Sequence, residues 1–410
     1  MDVLIFEPEY GGHYLQWVSY LVEVFLSRGD RVCLVTSTQA LASREYREYV
    51  ECFRGRLVIV PIRGPATKSA TWHHRARHFL DAIHLVRSVR LRKPDLVWVP
   101  YLDAMLIPLG LLQLCGLGLD ASRRRIEVAL MRGEFAYPEI RTTTAWRWNP
   151  KWRLKEWILR RALRSGWFSR LLVVDDITYR HMRSWPRGTI DLEPCPDPVA
   201  DSFPNRSWAR RELDLDEATT ILGCWGGLDA RKGIDLLLHA FAARPPRPNE
   251  LLLLAGRPDP HIAALWSAML AKDRSLAERV LLVNRFLSSA EMQRYVAAVD
   301  VAAVVYPAHV GSSKVLLEAA AAGKPILGSS FGLVGHLIGE NRLGYSCDVR
   351  SPQELAKGLD WAFSAPRSDA EAARRLVRRN SVAEFQKRIL DGTSSPRPNG
   401  EATPRPALAE

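Results

Sequence analysis

The hydrophobic positions of this chain change period again and again. Residues 3–6 form a short apolar run, and Leu15, Val18, Leu21, Val22, Phe25 and Leu26 then recur at the three- and four-residue spacing of one helix face. Strand-length apolar runs return at 31–36, 57–60, 95–100, 126–131 and 171–176. Helix-period segments separate them, among them a long basic one over about 72–92. Strands alternating with helices predict βαβ units, and hence a parallel sheet with helices on both faces. A second series begins at Ile221, with strands predicted at 221–225, 250–255, 280–283, 301–306 and 325–328. The Pro-, Asp- and Arg-rich segment 186–216 between the two series reads as an interdomain linker. Amphipathic helices are predicted over about 351–364 and 370–390, and the Pro- and Ser-rich tail from Thr393 is expected to be disordered.

Composition narrows the class. At 410 residues the chain can bury more than one core. Its net charge of +12, from 57 basic and 45 acidic residues, suits a phosphate-rich partner or an anionic surface. Nucleic acid is not expected: no binding motif is present and the basic residues are spread over several segments. The six cysteines (33, 52, 115, 195, 224 and 347) include no C-x-x-C pair and no metal-ligand spacing. They read as reduced, buried thiols of a cytosolic protein, and no metal is expected. The first residues, MDVLIFEP, are acidic and only strand-length, unlike a signal peptide. The apolar run 104–119 is short and interrupted by Pro108 and Gln113, so a buried or surface-dipping helix is expected in place of a membrane span. Residues 141–170 carry five tryptophans among arginines and lysines. Two readings fit them: an interfacial helix on anionic lipid, or an amphipathic helix packing its Trp and Leu face on the sheet.

Three constellations carry candidate chemistry. The stretch around 300–335 reads as strand, polar loop (His309 to Ser313), short helix from Lys314, and second strand. Gly311, Ser312 and Ser313 stand at the helix mouth, where unpaired N–H groups and the positive dipole end favour an anion. Glu318 follows on the second turn, four residues after Lys314. The second constellation is Gly226-Gly-Leu-Asp-Ala-Arg-Lys-Gly233, where a strand passes into a helix and Lys232, with Arg231, can neutralise a diphosphate. The third is Gly11-Gly12-His13: two glycines that let a ligand approach the backbone, then a histidine able to act as acid, base or donor. Asp103, Arg132 and Glu134 follow strands of the first series, where open α/β sheets place their ligands, and are expected on the acceptor side.

The order GGLDARKGIDLLLHAF, LLLLAG, VNRFLSSAEMQRYVAAVDVAAVVYP, GSSKVLLEAAAAGKPILGSSFGLVG and ENRLGYSCDVRSPQELAKGL resembles the C-terminal domain of the family 4 retaining glycosyltransferases. It covers about 221–359; the N-terminal half is similar more loosely, through its opening strand, glycine loop and helix. The resemblance implies an α/β fold of two Rossmann-like domains facing across a cleft (GT-B). The expected division is an N-terminal acceptor domain, 1–200; a linker, 201–218; a nucleotide-sugar-binding domain, 219–365; a helix crossing back to the N-terminal domain, 366–392; and the tail, 393–410. By position Lys232 matches the family's diphosphate-binding lysine. Glu318 matches the second glutamate of its E-x7-E motif, which holds the donor ribose. Arg285 and Phe286 fall in its nucleobase-contacting loop. Two positions depart from the pattern: Val310 stands for the first glutamate and Gly227 for the arginine that partners the lysine.

The expected function is therefore metal- and cofactor-independent transfer of a sugar, with retention, from a nucleotide diphosphate sugar to a saccharide or lipid-linked glycan. Lys232, His13 and Glu318 are expected at the chemistry. Gly11, Gly12, Gly227, Arg231, Arg285, Phe286, His309, Gly311, Ser312, Ser313 and Lys314 are expected around the donor. The expected location is the cytoplasm, at the inner face of the membrane if the Trp-rich stretch binds lipid. A non-catalytic nucleotide-sugar-binding protein and a nucleotide-sugar epimerase share the architecture and remain as alternatives.

Overall fold

The computed structural model describes residues 1–63, 71–122, 124–137, 149–364 and 368–394, with the backbone alone at 71–75 and 393–394. Seven parallel strands make the first sheet: β1 (Asp2–Phe6), β2 (Arg31–Ser37), β3 (Val58–Ile62), β4 (Leu96–Val99), β5 (Arg125–Leu130), β6 (Arg170–Val173) and β7 (Asp191–Pro194). Six more make the second: β8 (Thr220–Trp225), β9 (Glu250–Ala255), β10 (Val280–Val283), β11 (Val301–Val304), β12 (Ile326–Ser329) and β13 (Gly344–Cys347). The orders are β3-β2-β1-β4-β5-β6-β7 and β10-β9-β8-β11-β12-β13. These are two Rossmann-like halves, as the expected GT-B architecture requires.

Both sheets follow from runs apolar on both faces. In β1, Val3, Leu4, Ile5 and Phe6 are all essentially buried, and register places Phe6 beside Val35 and Ile5 beside Trp98. Helices on each side require such two-faced burial. The order reverses between β1 and β4 in the first sheet and between β8 and β11 in the second. At such switch points neighbouring loops diverge and leave a crevice at the carboxyl ends of the strands.

The segment expected as a linker is more structured than its composition suggests. Part of it is β7, an edge strand of the first sheet, and Arg206–Glu212 is a helix. The buried Arg210 guanidinium of that helix donates to the carbonyls of Asp216, Thr219 and Ala298 and to the Asp300 carboxylate at 2.7 Å. Asp300 also accepts from the Ile221 amide at the start of β8. One buried ion pair thus fastens 206–219 to the C-terminal sheet, a tertiary contact that local composition does not encode.

The helix expected at 366–392 is two helices. Ala370–Arg379 lies along the Lys314–Ala321 helix, and Val382–Ser394 crosses to the N-terminal domain against Tyr14–Ser27. There Phe385 is fully buried with its ring 4.7 Å from Trp17, and Ile389 is buried beside it. The tail from 395 lies outside the described residues, as do 138–148, which include 141–148 of the Trp-rich stretch. Most of the rest of that stretch forms the helix Pro150–Ser165, capped by Asn149 and closed by Gly166 in the left-handed region. The apolar run near 104 forms the helix Leu102–Leu114 with Pro108 inside it. Among the described residues no helix is long and apolar enough to cross a membrane.

Candidate active site

The loop after β8 turns at Gly226, whose φ of +90° favours glycine. A Cβ added there would come 2.8 Å from Lys232 Nζ, so the lysine lies against the turn. Asp229 caps the following turn by accepting from the Lys232 amide at 3.0 Å. Lys232 is buried, and its ammonium donates to the Trp225 carbonyl at 2.6 Å. Burial lowers its pKa and Arg231 adds to the depression, while Cys224, Asp229 and Glu318 act in the opposite sense. The Trp225 indole N–H donates to Glu318 Oε2 at 2.7 Å. Lys232 and Glu318 therefore meet on the two ends of one tryptophan at the head of the sheet.

Ser313 caps the Lys314–Ala321 helix by accepting from the Leu316 amide at 3.3 Å. Lys314 lies 3.7 Å from Glu318 and donates to Gln16 of the N-terminal domain. His309 packs edge-on to Tyr306 and its neutral ring donates from Nε2 to the Ser312 carbonyl at 3.1 Å. Burial pushes its pKa down to about 4. Arg231 is half-exposed, paired with Asp229 at 3.4 Å, with its guanidinium 6.0 Å from the Tyr306 ring. A Cβ at Gly227 would meet nothing within 4 Å, and the same holds at Gly11 and Gly12. Gly227 and the Gly11-Gly12 turn thus face open space.

From the N-terminal domain, Gly12 (φ +71°) leads into His13, which starts the Tyr14–Ser27 helix and lies beside the rings of Tyr14 and Tyr101. Burial lowers the His13 pKa to about 4; Asp197 opposes that, and Lys314, Arg132 and Arg231 reinforce it. The charges that act on His13 come from both domains. It is neutral at pH 7.

Several cleft residues were not visible as such in the sequence. Asp197, in the segment read as linker, accepts from the Trp17 indole at 3.3 Å and from the Ser312 hydroxyl across the domain boundary. Its amide donates to Asn380 at 3.0 Å. The Tyr137 hydroxyl accepts the Gly311 amide at 2.9 Å and donates to buried Asp175, whose pKa burial raises to about 6. Gly311, at φ +91°, lies so close to Arg132 that a Cβ would stand 2.6 Å from its Cγ. Glu7, at the end of β1, is buried, and its Oε2 has no hydrogen-bond partner among the described residues. Only Trp225, flanking the Gly226-Gly227 turn, carried a local signal.

Other expected site residues stand elsewhere or serve the scaffold. Asp103 accepts the amides of Met131 and Arg132, both at 2.9 Å, and fixes that loop. Glu134 pairs with buried Lys155 at 2.9 Å; burial alone would raise its pKa, but the ammonium holds it low. Arg285 is exposed and paired with Glu291 at 2.6 Å. Phe286 lies under the Arg44 guanidinium, beside the cross-domain contacts of Ser289 with Glu48 and Tyr49. The oxygens and nitrogens of Glu9, His78 and Asp81 lie within 4.8 Å of one another, as metal ligands can, but Arg77 stands 3.2 Å from Glu9 and 3.8 Å from Asp81. A guanidinium already supplies the positive charge there.

Residues 219–364 match the model of the family described as glycosyl transferases group 1. The match takes in every strand of the second sheet, from β8 to β13. The lipopolysaccharide core biosynthesis mannosyltransferase LpsB of Rhizobium meliloti is 30% identical over 199 residues, 45% of this chain and 54% of the relative. The chain spans about half the length of the curated relatives it matches. Over nearly the whole chain the fold is that of sucrose-phosphate synthase from Thermosynechococcus elongatus, with a TM-score of 0.69 at 17% identity, covering 95% of this chain and 98% of the other. Anabaena HepE, solved in complex with UDP-glucose, is similar with a TM-score of 0.65 at 15% identity, covering 97% and 100%.

Proposed function

We propose that the protein is a glycosyltransferase moving a sugar from a nucleotide diphosphate donor to a saccharide or lipid-linked glycan, with retention of configuration. The observation that carries this reading is the meeting of Lys232 and Glu318 on Trp225, opposite His13 across the cleft. Among the described residues the buried Lys232 ammonium donates to a carbonyl and has the Asp229 and Glu318 carboxylates near it without a direct ion pair, and a diphosphate would supply the closer counter-charge. Arg231 and the N–H groups at the mouth of the Lys314–Ala321 helix add to the same field. Stabilising the departing diphosphate in this way is electrostatic catalysis, in which one well-placed donor contributes about 3–4 kcal/mol. It needs no metal. Glu318 then takes the hydroxyls of the donor's pentose, and neutral His13 donates to or accepts from the sugar. The family match of the C-terminal domain, the mannosyltransferase LpsB and the UDP-glucose complex of HepE all support a nucleotide-sugar donor.

The test is release of nucleoside diphosphate from a panel of nucleotide sugars, in chelator, with and without saccharide acceptors. Acceptor-dependent release from one donor, lost in Lys232→Met, supports transfer. Acceptor-independent turnover would point to the epimerase. A second reading has its own observation: Gly227 leaves open space where the sequence resemblance implies an arginine, and Val310 is buried and apolar. Tight donor binding with no release across the panel would establish a non-catalytic binding protein.

A further inference from the structure

The helices Thr71–Arg92, Leu102–Leu114 and Pro150–Ser165 form one layer on the outer side of the first sheet. Among the described residues, twelve large apolar side chains are exposed, and eight of them fall on this layer or on the turn that ends its middle helix. On the first helix Phe79, Leu80, Ile83 and Leu91 share one face, with Leu91 76% exposed, while Ala82, Leu85, Val86 and Val89 are buried on the opposite face. Leu111, Leu114 and Leu117 continue the patch. Trp157, half-exposed, carries it onto the third helix.

Such a concentration is not the single scattered leucine of an ordinary surface, and it marks an interaction face. Its charge says what kind. On the third helix Arg153, Trp157, Arg161 and Arg164 are exposed at helical spacing, so three arginines surround one tryptophan. Arg87, Arg90 and Arg92 do the same beside Leu91. The acidic residues of the three helices are otherwise engaged: Asp81 is buried, Asp103 holds backbone amides, and Glu156 pairs with Arg160 at 2.8 Å. Among the described residues of these helices, every exposed charge is therefore positive. A pocket of about 590 Å³ opens at the far ends of the first two helices, lined by Arg90, Lys93 and Arg124 together with Asp120.

We propose that this face docks on an anionic lipid bilayer. Aliphatic and indole side chains enter the headgroup boundary while arginines snorkel to the phosphates. Nucleic acid would use the arginines but leave the apolar side chains in water. A second copy of the chain would bring like charges together. The geometry also serves the reaction proposed above, on which this orientation rests: Asp103 and Lys155, near the starts of the second and third helices, both touch the loop of Arg132 at the cleft. A bilayer on this face brings lipid-borne acceptors to the cleft mouth.

The test is co-sedimentation of the full chain with vesicles of phosphatidylglycerol and phosphatidylcholine, against phosphatidylcholine alone. Binding to the anionic vesicles only is expected, weakening as salt rises. The variant R153E/R161E/R164E should lose about a hundredfold in vesicle affinity, and Trp157→Ser severalfold, with melting temperatures unchanged. Equal binding to neutral vesicles, no binding to either, unimpaired binding by the triple variant, a dimer built on this face in light scattering, or preference for duplex DNA over vesicles would each overturn the proposal. Nucleotide-induced thermal stabilisation, read on the same preparations, reports separately on the transfer reading.

Discussion

The two sheets reverse their strand order in the same way, yet the loops at the two switch points carry opposite chemistry. After β8 and β11 stand Lys232, Arg231 and a serine-capped helix mouth, all suited to an anion. After β1 and β4 stand a neutral histidine, buried Glu7, and the rings of Tyr14 and Tyr101. One topology decides where a ligand can enter; the side chains decide which end of it. The cationic crevice fits a leaving diphosphate, and the aromatic, hydrogen-bonding one fits an uncharged sugar hydroxyl.

The largest effect should come from removing the buried cation of the C-terminal crevice. Lys232→Met should lower kcat about a hundred- to a thousandfold and abolish stabilisation by nucleoside diphosphate, read by turnover and by melting temperature. A neutral thioether there leaves the Trp225 carbonyl without its donor and should cost about 1–3 kcal/mol, so the melting temperature of the free variant separates the catalytic loss from unfolding. Phe385→Ala attacks the link between the domains: it should cost about 3–5 kcal/mol, seen as a lower denaturant midpoint. Asp197→Ala leaves the Trp17 indole and the Ser312 hydroxyl unpaired and should cost about 1–3 kcal/mol, with faster amide exchange at the cleft. The smallest change sharpens the contrast. Gly227 has open space and an ordinary φ, so Gly227→Arg should be tolerated and tighten donor binding by about 0.5–1.5 kcal/mol, measured by calorimetry.

Acid should strike both sides of the cleft through its histidines. His13 and His309 both have pKa values lowered from 6.5 to about 4. The folded state therefore binds fewer protons than the unfolded chain between those limits. Their contribution is fully present above pH 6.5 and is lost as pH falls toward 4. Melting temperature should drop between pH 7 and pH 5, and less steeply in His13→Asn.

The alternation of strands and helices, and with it two Rossmann-like sheets, is legible in the sequence because parallel strands buried on both faces read as continuous apolar runs. Lys232 and Glu318 could be singled out because each stands at a fixed offset from a strand end or helix cap; the structure brings both onto Trp225, and their role is the proposal above. Asp197 was not, because its partners Trp17, Ser312 and Asn380 are 180, 115 and 183 residues away. Nor was Tyr137, whose hydroxyl reaches Gly311 174 residues on. The same limit hid the docking of 206–219, where composition signalled a loop and Arg210 with Asp300 made it part of a domain. Asp103 and Glu134 show the converse: the positions fit a ligand site, but neighbouring amides and Lys155 had already taken their carboxylates.

The account rests on one donor site in which Lys232 holds the diphosphate and Glu318 the pentose. Its most direct test is a thermal-shift titration of the wild type, Lys232→Met and Glu318→Gln with nucleoside diphosphates. Stabilisation of the wild type that grows with ligand concentration, vanishes in the lysine variant and weakens in the glutamate variant is the expected result. Equal stabilisation of all three proteins would place the nucleotide elsewhere and contradict the account.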